Sequence, residues 1–535
     1  MAIKRYLASA DNTISNAWQS NLSKRATGSN MGASDVLEVY SIYNRAYTSS
    51  AGNPPDKQDE LSRILIKFPV DSISSDRAAG NIPTSGNVSF YLKLHNAETS
   101  KTVPKQFTLT VKPVQQSWQE GDGLDMETYL DYTAGNTGSN WTQCRKNGNG
   151  TITNWSSSGG DYLTASNFNQ YFESGLENLE VDVTILMEEW MRVDASGDAD
   201  PVYHNYGFGV MLTASQESTA SYNLTGAANS FYTKRFFSRT SQYFFKRPVL
   251  EARWDSSIKD DRSNFYYSSS LATGEQNLNT LYFYNYVRGN LQNIPNLTDG
   301  LLRVALYSGS TDNTAPSGSA LTLCHDGGDD RGNNTHAVAG YVSTGIYSCS
   351  LAITGASRAA ARLTDLFDVW YTGSTHSHGP DNENNTRFFT SSIKPRSFEG
   401  EDISIRPTYY INITNLKQKY TSKENARFNL YVREKYWSPT IYTKADNDIE
   451  TTTIDSASYR VFRVIDDYQA VSHGTGSDMH TVMSHDVSGN YFDLDMSLLE
   501  PGYEYGFKFS FYDPSLSNWV EQDEVFKFRV ESYEY

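Results

Sequence analysis

Cysteines, long apolar runs and clusters of basic residues are all scarce in this chain of 535 residues. Its three cysteines, Cys144, Cys324 and Cys349, are too few and too scattered for a disulfide framework or a cysteine-based zinc site. Cys324 and Cys349 could pair only if the fold brought them together, so we expect reduced thiols. No stretch approaches the ~20 apolar residues of a transmembrane helix, and the N-terminus lacks the apolar core of a signal peptide. We therefore expect synthesis in a cytoplasm and no membrane as partner.

Charge excludes a second class of partner. The chain has 45 basic and 62 acidic residues, a net charge of -17, and no Lys/Arg cluster that could neutralise phosphates. Nucleic acid is therefore not an expected partner.

Motifs for catalysis are also missing from the sequence. The nearest approach to a serine nucleophile elbow, residues 355–359, lacks the closing glycine, and there is no glycine-rich phosphate loop. A pair of glycosidase carboxylates is left open, because 62 acidic residues offer such pairs by chance. We predict that the protein is not an enzyme.

The residues that are abundant point to β-structure. Aromatic residues make up 13% of the chain, with 37 tyrosines, and Thr, Val, Ser, Asn and Gly are frequent. Residues 427–433, 459–464, 505–511 and 526–530 alternate between apolar and polar, which is typical of strands with one buried face. Residues 181–190 are the best helix candidate, although they could begin as a strand. We predict an all-β fold.

The most informative stretch is 499–511, where a Pro501-Gly502 corner leads into a strand. Tyr505 and the phenylalanines at 507, 509 and 511 would share the buried face, with Gly506, Lys508 and Ser510 on the wet face. The corner resembles the tyrosine corner of fibronectin-III and other immunoglobulin-like domains, in which the Tyr hydroxyl binds the backbone just upstream. Such modules hold, space and bind.

The N-terminal half carries a series of short motifs in a fixed order. They lie at residues 11–14, 30–33, 62–68, 117–125, 140–141, 181–184, 205–208, 237–239 and 247–254, with Trp190 between the sixth and seventh. In that order they resemble a DNRLRE-type domain, a jelly-roll β-sandwich similar to carbohydrate-binding modules. This copy is lengthened around residues 44–60 and 142–175. The resemblance implies a jelly-roll domain over 1–255, followed by β-sandwich domains over 256–400 and 401–535, the last of fibronectin-III or immunoglobulin type.

The C-terminal half resembles virion structural proteins of tailed, T4-like phages of marine cyanobacteria. The matching stretches are residues 433–439, 459–467, 490–496 and 499–511. The resemblance implies assembly into a virion, with other virion proteins and further copies of the same chain as partners. The alternative is a carbohydrate-binding adhesin module, and a host-surface glycan is a partner under either hypothesis.

Three aromatic residues in or beside the inserted loops are candidate ligand contacts. Trp141, Trp155 and Tyr162 could present exposed rings to a sugar face, or could pack the loops or a subunit contact. Trp118 and Trp190 lie in apolar contexts and are expected in the core.

Acidic-Gly clusters are the candidate metal sites. Glu120, Asp122 and Asp125 form one cluster, and Asp326, Asp329 and Asp330 form another. Carboxylates on flexible backbone suit calcium, but the turn propensity of Asp and Gly explains both clusters without a metal. We expect no cofactor other than a structural calcium ion in the first domain.

The histidines give a weaker indication. His376 and His378 would lie on one side of an extended backbone, where they could complete a metal site around a three-fold axis, but they belong to a Gly/Ser-rich loop. We expect His473, His480 and His485 at the surface.

Overall fold

The computed structural model describes residues 2–18, 25–45, 57–100, 102–124, 138–146, 149–196, 204–217, 231–295, 297, 302–326, 334–354, 365–372, 386–396, 408–435 and 451–533. The chain divides into two compact units. We call residues 2–255 with 478–480 the N-unit, and residues 256–477 with 481–535 the C-unit. Strands dominate both units, which confirms the predicted all-β class. Over these ranges, no helix is long and apolar enough to cross a bilayer.

The N-unit contains thirteen described strands and two α-helices. The strands are β1 Ile3–Leu7, β2 Ala10–Ser15, β3 Val36–Arg45, β4 Lys57–Lys67, β5 Ser89–Leu94, β6 Phe107–Pro113, β7 Gln143–Lys146, β8 Ile152–Asn154, β9 Phe168–Phe172, β10 Leu179–Asp182, β11 Phe208–Leu212, β12 Phe231–Phe237 and β13 Val249–Arg253. The helices are α1 Val70–Ala78 and α2 Thr184–Ser196.

Two larger antiparallel sheets and the hairpin β7-β8 build the described part of the N-unit. One has the order β1-β13-β5-β10; the other has the order β12-β3-β4-β11-β6-β9, with β2 paired to β4. Both sheets and both helices contribute to one core, as Phe90 in β5, Ile64 in β4 and Trp190 in α2 illustrate. In β5 the burial alternates along the strand, because successive side chains point to opposite faces.

The segment 181–190 is a strand that becomes a helix. Val181 and Asp182 end β10, and α2 begins at Thr184. The Asp182 carboxylate accepts the Thr184 N–H at 2.9 Å, which satisfies one of the backbone donors left free at a helix start. Trp190 is buried in the core, as predicted.

The C-unit contains twenty-one described strands. Those before residue 400 are β14 Asn279–Tyr284, β15 Tyr286–Val287, β16 Asn290–Leu291, β17 Leu302–Gly309, β18 Pro316–Ser317, β19 His325–Asp326, β20 Ala337–Val338, β21 Gly340–Ser343, β22 Ile346–Ala352, β23 Leu366–Thr372 and β24 Thr386–Ile393. Those after it are β25 Tyr409–Ile413, β26 Lys419–Thr421, β27 Asn425–Glu434, β28 Ala457–Arg463, β29 Gln469–Val471, β30 Ser484–Asp486, β31 Gly489–Asp495, β32 Glu504–Asp513, β33 Asn518–Glu521 and β34 Phe526–Glu531. Single 3-10 turns span Asp261–Ser263, Glu275–Asn277 and Met496–Leu498 in this unit, and Phe244–Lys246 in the N-unit.

The C-unit strands pair into separate sets of sheets. Residues 279–393 form the sheets β14-β22-β19, with β21 on β22, and β18-β17-β23-β24, with β20 on β17, besides the hairpin β15-β16. Residues 409–531 form the sheets β25-β27-β31-β30 and β26-β34-β32-β28-β29, with β33 on β32. Apart from the parallel pair β26–β34, the strand ladders described in this unit are antiparallel. The domain boundaries at 255 and 400, and the jelly-roll and fibronectin-III topologies, stay predictions.

The Pro501-Gly502 corner has the hydrogen bond expected of it. The Tyr505 hydroxyl donates to the Glu500 carbonyl at 2.9 Å, and Gly502 adopts a φ of 95°, which favours glycine. Phe507 packs against Phe428 with ring centroids 4.8 Å apart. The aromatic face of β32 is therefore the buried face, as its alternation predicts.

Candidate functional site

Two of the three aromatic residues predicted to be exposed are buried. Trp141 is 7% exposed and Trp155 is 5% exposed, and both belong to a small hydrophobic cluster with Cys144. The Trp155 indole N–H donates to the Asn140 carbonyl at 2.8 Å. The expectation of exposed rings is wrong for these two residues, and the alternative of loop packing is confirmed, because strand residues of the sheet, such as Leu65, pack against the inserted loop.

Arg63 lies between this cluster and the third aromatic residue. Its guanidinium is 5.3 Å from the ring of Trp141 and 5.5 Å from the ring of Tyr162. It makes a bidentate ion pair with Glu217, at 3.1 and 2.6 Å, and donates to the Gly159 carbonyl at 2.9 Å. A bidentate pair of this kind fixes both side chains in place.

Tyr162 and the Arg63–Glu217 pair line an open cleft of about 680 Å³, which we call the Tyr162 cleft. Its other polar lining residues include Lys112, Gln115, Gln116, Ser157, Asp161 and Thr164. The Tyr162 hydroxyl donates to the Gly159 carbonyl at 2.9 Å, and burial raises the pKa of Tyr162 above its ordinary value. The lining offers amide and hydroxyl groups, which both donate and accept hydrogen bonds, around a rigid charged pair.

Glu120, the first of the predicted metal ligands, is bound by a cation of the protein itself. Arg239 donates to both of its carboxylate oxygens, at 2.5 and 2.6 Å. Glu120 also accepts the backbone N–H of Asp11 at 2.8 Å. Its carboxylate therefore ties the loop after Trp118 to β2 and to the turn after β12.

Asp11 is a buried carboxylate beside this ion pair, and its place in the 11–14 motif does not predict that it is buried. Its Oδ2 accepts the Arg239 backbone N–H at 2.6 Å, whereas Oδ1 is buried without a hydrogen-bond partner in the described part of the chain. Burial is the largest cause that raises the pKa of Asp11, to about 7, and the Glu120 charge acts in the same direction. Arg239 therefore binds both carboxylates, Glu120 through its guanidinium and Asp11 through its backbone N–H.

The remaining predicted metal ligands do not join a described metal site. Asp122 lies on the same loop as Glu120, and Asp125 lies outside the described residues. No group of three or more His, Cys, Asp or Glu side chains could hold a metal ion within the ranges given above. Asp326 ends β19, whereas 329–330 and 376–378 lie outside those ranges. A structural calcium ion stays a prediction.

The histidines of the C-terminal region are not surface residues. His480 and His485 are buried, which corrects the prediction. His473 is half-buried and bridges two serines, with Ser458 Oγ 3.1 Å from Nδ1 and Ser510 Oγ 3.1 Å from Nε2. Ser510 and Gly506 are buried, which corrects the prediction that they lie on a wet face of β32, and Lys508 on the same face is half-buried.

The N-unit also contains a network of buried ion pairs, which the sequence pattern did not predict. Glu251 is almost fully buried and is paired with Arg5 at 2.7 Å and Arg253 at 2.7 Å. Lys93 lies 3.6 Å from Glu251, and Arg253 also pairs with Glu180 at 2.5 Å. The sequence signal for it was the alternation of charged residues along β10 and β13, a pattern that normally indicates a solvated face.

The three cysteines are free thiols, of which Cys144 and Cys349 are buried. Trp118 is half-buried against the cluster around Trp141 and donates its indole N–H to the Tyr206 carbonyl at 2.7 Å.

Comparisons with known proteins define no family. No family model matches the chain, and no curated protein matches it. Among solved structures, it is similar to a chimeric titin Z1Z2-Z1Z2 tandem carrying a fibronectin GRGDS peptide, at 11% identity over 44% of this chain and 93% of that one, with a TM-score of 0.14. A DUF4785 family protein from Legionella pneumophila matches at 8% identity over 92% of this chain and 90% of that one, with a TM-score of 0.13. The BSP domain of a biofilm associated protein matches at 8% identity over 99% of this chain and 90% of that one, with a TM-score of 0.14. Similarities at these TM-scores do not establish a shared fold or function.

Proposed function

We propose that the protein is a non-enzymatic structural component of a tailed-phage virion, made in the host cytoplasm and assembled with other virion proteins and further copies of itself. The observation that supports this most is that the conspicuous side chains serve the fold. Trp141 and Trp155 pack a core, Arg239 binds Glu120, and Tyr505 ties its corner to the backbone. The motif resemblance of the C-terminal half of the sequence favours the same role.

Many copies on one particle would give such a protein its function. Interfaces that are weak one at a time become effective when they are repeated, because the later contacts are intramolecular. Tyrosine suits such contacts, since its ring offers area and its hydroxyl a polar group. Exposed tyrosines of the C-unit, among them Tyr286, Tyr341 and Tyr410, are available for them.

The virion role is tested by immunogold electron microscopy on particles from an infected-cell lysate. Discrete labelling at one position on the particle is the expected result. Label that is absent from particles but present on free protein in the lysate would contradict the proposal.

A carbohydrate-binding adhesin module is the second candidate, and the Tyr162 cleft is the observation that favours it. Hydroxyl and amide groups around an ordered aromatic ring suit a neutral glycan. The test is binding of the purified protein to host-surface glycans, with retained but uncleaved glycan expected. Replacing Gln116 in the cleft by Ala should weaken retention, whereas replacing the exposed Gln276 of the C-unit by Ala should not. Released oligosaccharide would instead indicate an enzyme.

A further inference from the structure

Lys234 is the most deeply buried lysine side chain of the N-unit strands, and its surroundings are aromatic. It lies on β12 and is 2% exposed. Its Nζ is 5.2 Å from the ring centroid of Phe172 and 5.1 Å from that of Phe236. Burial lowers the pKa of Lys234 to about 8, although the charge of Glu177 acts in the opposite direction. A substantial fraction of neutral amine is therefore present near physiological pH, which an exposed lysine does not offer.

The amine touches the side-chain amide of Asn96. Nζ is 2.5 Å from Asn96 Oδ1, and it also donates to the carbonyls of Gly175 at 2.7 Å and Glu177 at 2.8 Å. Because a carbonyl bond is about 1.23 Å long, the Asn96 Cγ lies at most about 3.7 Å from Nζ. Reacting atoms in near-attack geometry are about 3–3.5 Å apart. The nucleophile and the electrophile are thus almost in place.

Glu177 is a third group near the amine, close enough for the charge of its carboxylate to act on Lys234. Its Oε1 accepts the backbone N–H groups of Glu173 and Ser174, at 3.1 and 2.7 Å. Its Oε2 is buried and has no hydrogen-bond partner in the described part of the chain. Burial acts to raise the pKa of Glu177, but hydrogen bonds from Ser174 and neighbouring backbone N–H groups outweigh it and hold this pKa below its ordinary value. The ionised carboxylate can therefore accept a proton from the neighbouring amine.

We propose that Lys234 and Asn96 form an intramolecular isopeptide bond. The neutral Nζ attacks Cγ of Asn96, so that a C–N bond forms and the bond from Cγ to Nδ2 breaks. Glu177 takes a proton from the attacking nitrogen and delivers it to Nδ2, which leaves as ammonia. The step balances without an oxidant, a reductant or a second substrate.

The position of the bond gives it a structural purpose. Asn96 follows β5, which belongs to the four-stranded sheet, and Lys234 lies on β12, at the edge of the other sheet. The two residues are 138 positions apart in sequence. A covalent link between them closes a long loop and joins the two sheets of the N-unit, as a disulfide does in an oxidising compartment. It needs no such compartment, because no thiol takes part.

Mass spectrometry of the purified full-length chain tests the bond directly. We expect an intact mass lower than the sequence mass by one ammonia molecule, and a branched tryptic peptide that joins Asn96 to Lys234. Trypsin should no longer cleave after Lys234, because its amine has become an amide. The variant K234R should have the full sequence mass, and the exposed control K105R should keep the deficit.

The role of Glu177 has its own readout. In E177Q we expect the mass deficit to develop about 10²-fold more slowly or not at all, since proton transfer contributes about that factor, while the fold by circular dichroism is retained. Wild-type protein of full mass, cleaved by trypsin after Lys234 even after prolonged incubation at mildly alkaline pH, would overturn the proposal. An ammonia deficit that maps to the Asn149-Gly150 turn instead would overturn it too.

Discussion

The polar network of the N-unit and the aromatic core of the last C-unit strands bury side chains at alternate strand positions in different ways. Around Glu251, charged side chains at alternate strand positions are buried by pairing with one another. Around Phe507, the alternate positions are aromatic, and the rings of Phe428 and Phe528 lie 4.8 and 4.7 Å away. Alternation therefore marks which side chains share a face, but it does not decide whether the polar face is solvated.

The two arrangements differ in how they respond to conditions. Aromatic burial depends on apolar area removed from water and is insensitive to pH. A buried ion pair offsets a large desolvation cost only while both partners stay charged. Substitutions in each region can therefore be told apart by the pH dependence of the free energy of unfolding.

The largest effect is expected in the aromatic core. Phe507→Ala removes a fully buried ring and should lower the free energy of unfolding of the C-unit by about 4 kcal/mol. Urea unfolding followed by C-unit fluorescence measures it. Because no charge is involved, the loss should be the same at acidic and neutral pH, and a strongly pH-dependent loss would break the comparison.

The loss in free energy of unfolding caused by Glu251→Gln should be somewhat smaller than that caused by Phe507→Ala. Unlike that loss, it should depend on pH. The change leaves Arg5 and Arg253 buried with less compensation, at an expected cost of about 3 kcal/mol at neutral pH. Nearby cations hold the pKa of Glu251 well below its ordinary value against the effect of burial. Its contribution is therefore present above the unfolded pKa of about 4.5 and is lost as the pH falls through the folded pKa.

The control for Glu251 is the exposed pair of Lys419 and Glu531, 2.7 Å apart. Glu531→Gln should change the free energy of unfolding by less than about 1 kcal/mol, because solvent screens an exposed pair. Equal losses for the two substitutions would show that burial of the N-unit charges contributes nothing.

Asp11 should give the opposite pH dependence within the same unit. Its pKa is raised to about 7, so its contribution is complete below the unfolded pKa and declines as the pH rises through the folded value. Asp11→Asn cannot titrate, and it should remove a decline of up to about 1 kcal/mol per pH unit between acidic and neutral pH. Urea unfolding of the N-unit across that interval measures the slope. An unchanged slope would show that Asp11 is ionised throughout.

The sequence predicted the parts of the fold that follow from local periodicity. The alternation over 505–511 lies inside β32, and the apolar pattern over 181–190 contains both the end of β10 and the start of α2. It did not predict that Trp141 is buried, because its neighbours in sequence are polar loop residues and its neighbours in space, such as Leu65, come from a distant strand. Contacts between distant segments leave no local pattern.

The candidate sites likewise depend on contacts between segments that are distant in sequence. Glu120 was noticed for its glycine-rich context, but its partner Arg239 follows a strand at the far end of the N-unit sequence. Asn96, Glu177 and Lys234 share no spacing that would connect them. Only the pairing of β12 beside the end of β5, through the bridge of Asn96 with Phe236, brings them together.

Tyr505 provides the smallest and sharpest test, because it combines the two kinds of burial in one side chain. Its ring packs in the aromatic core, 6.1 Å from that of Phe528, while its hydroxyl makes a single hydrogen bond to the Glu500 carbonyl. Tyr505→Phe keeps the ring and removes only the bond, so unfolding of the C-unit should become easier by about 1 kcal/mol at every pH below the ionisation of tyrosine. The exposed Tyr512, changed to Phe, is the matched control and should be neutral. If Tyr505→Phe is equally neutral, the corner is held by ring packing alone, without a contribution from its hydrogen bond.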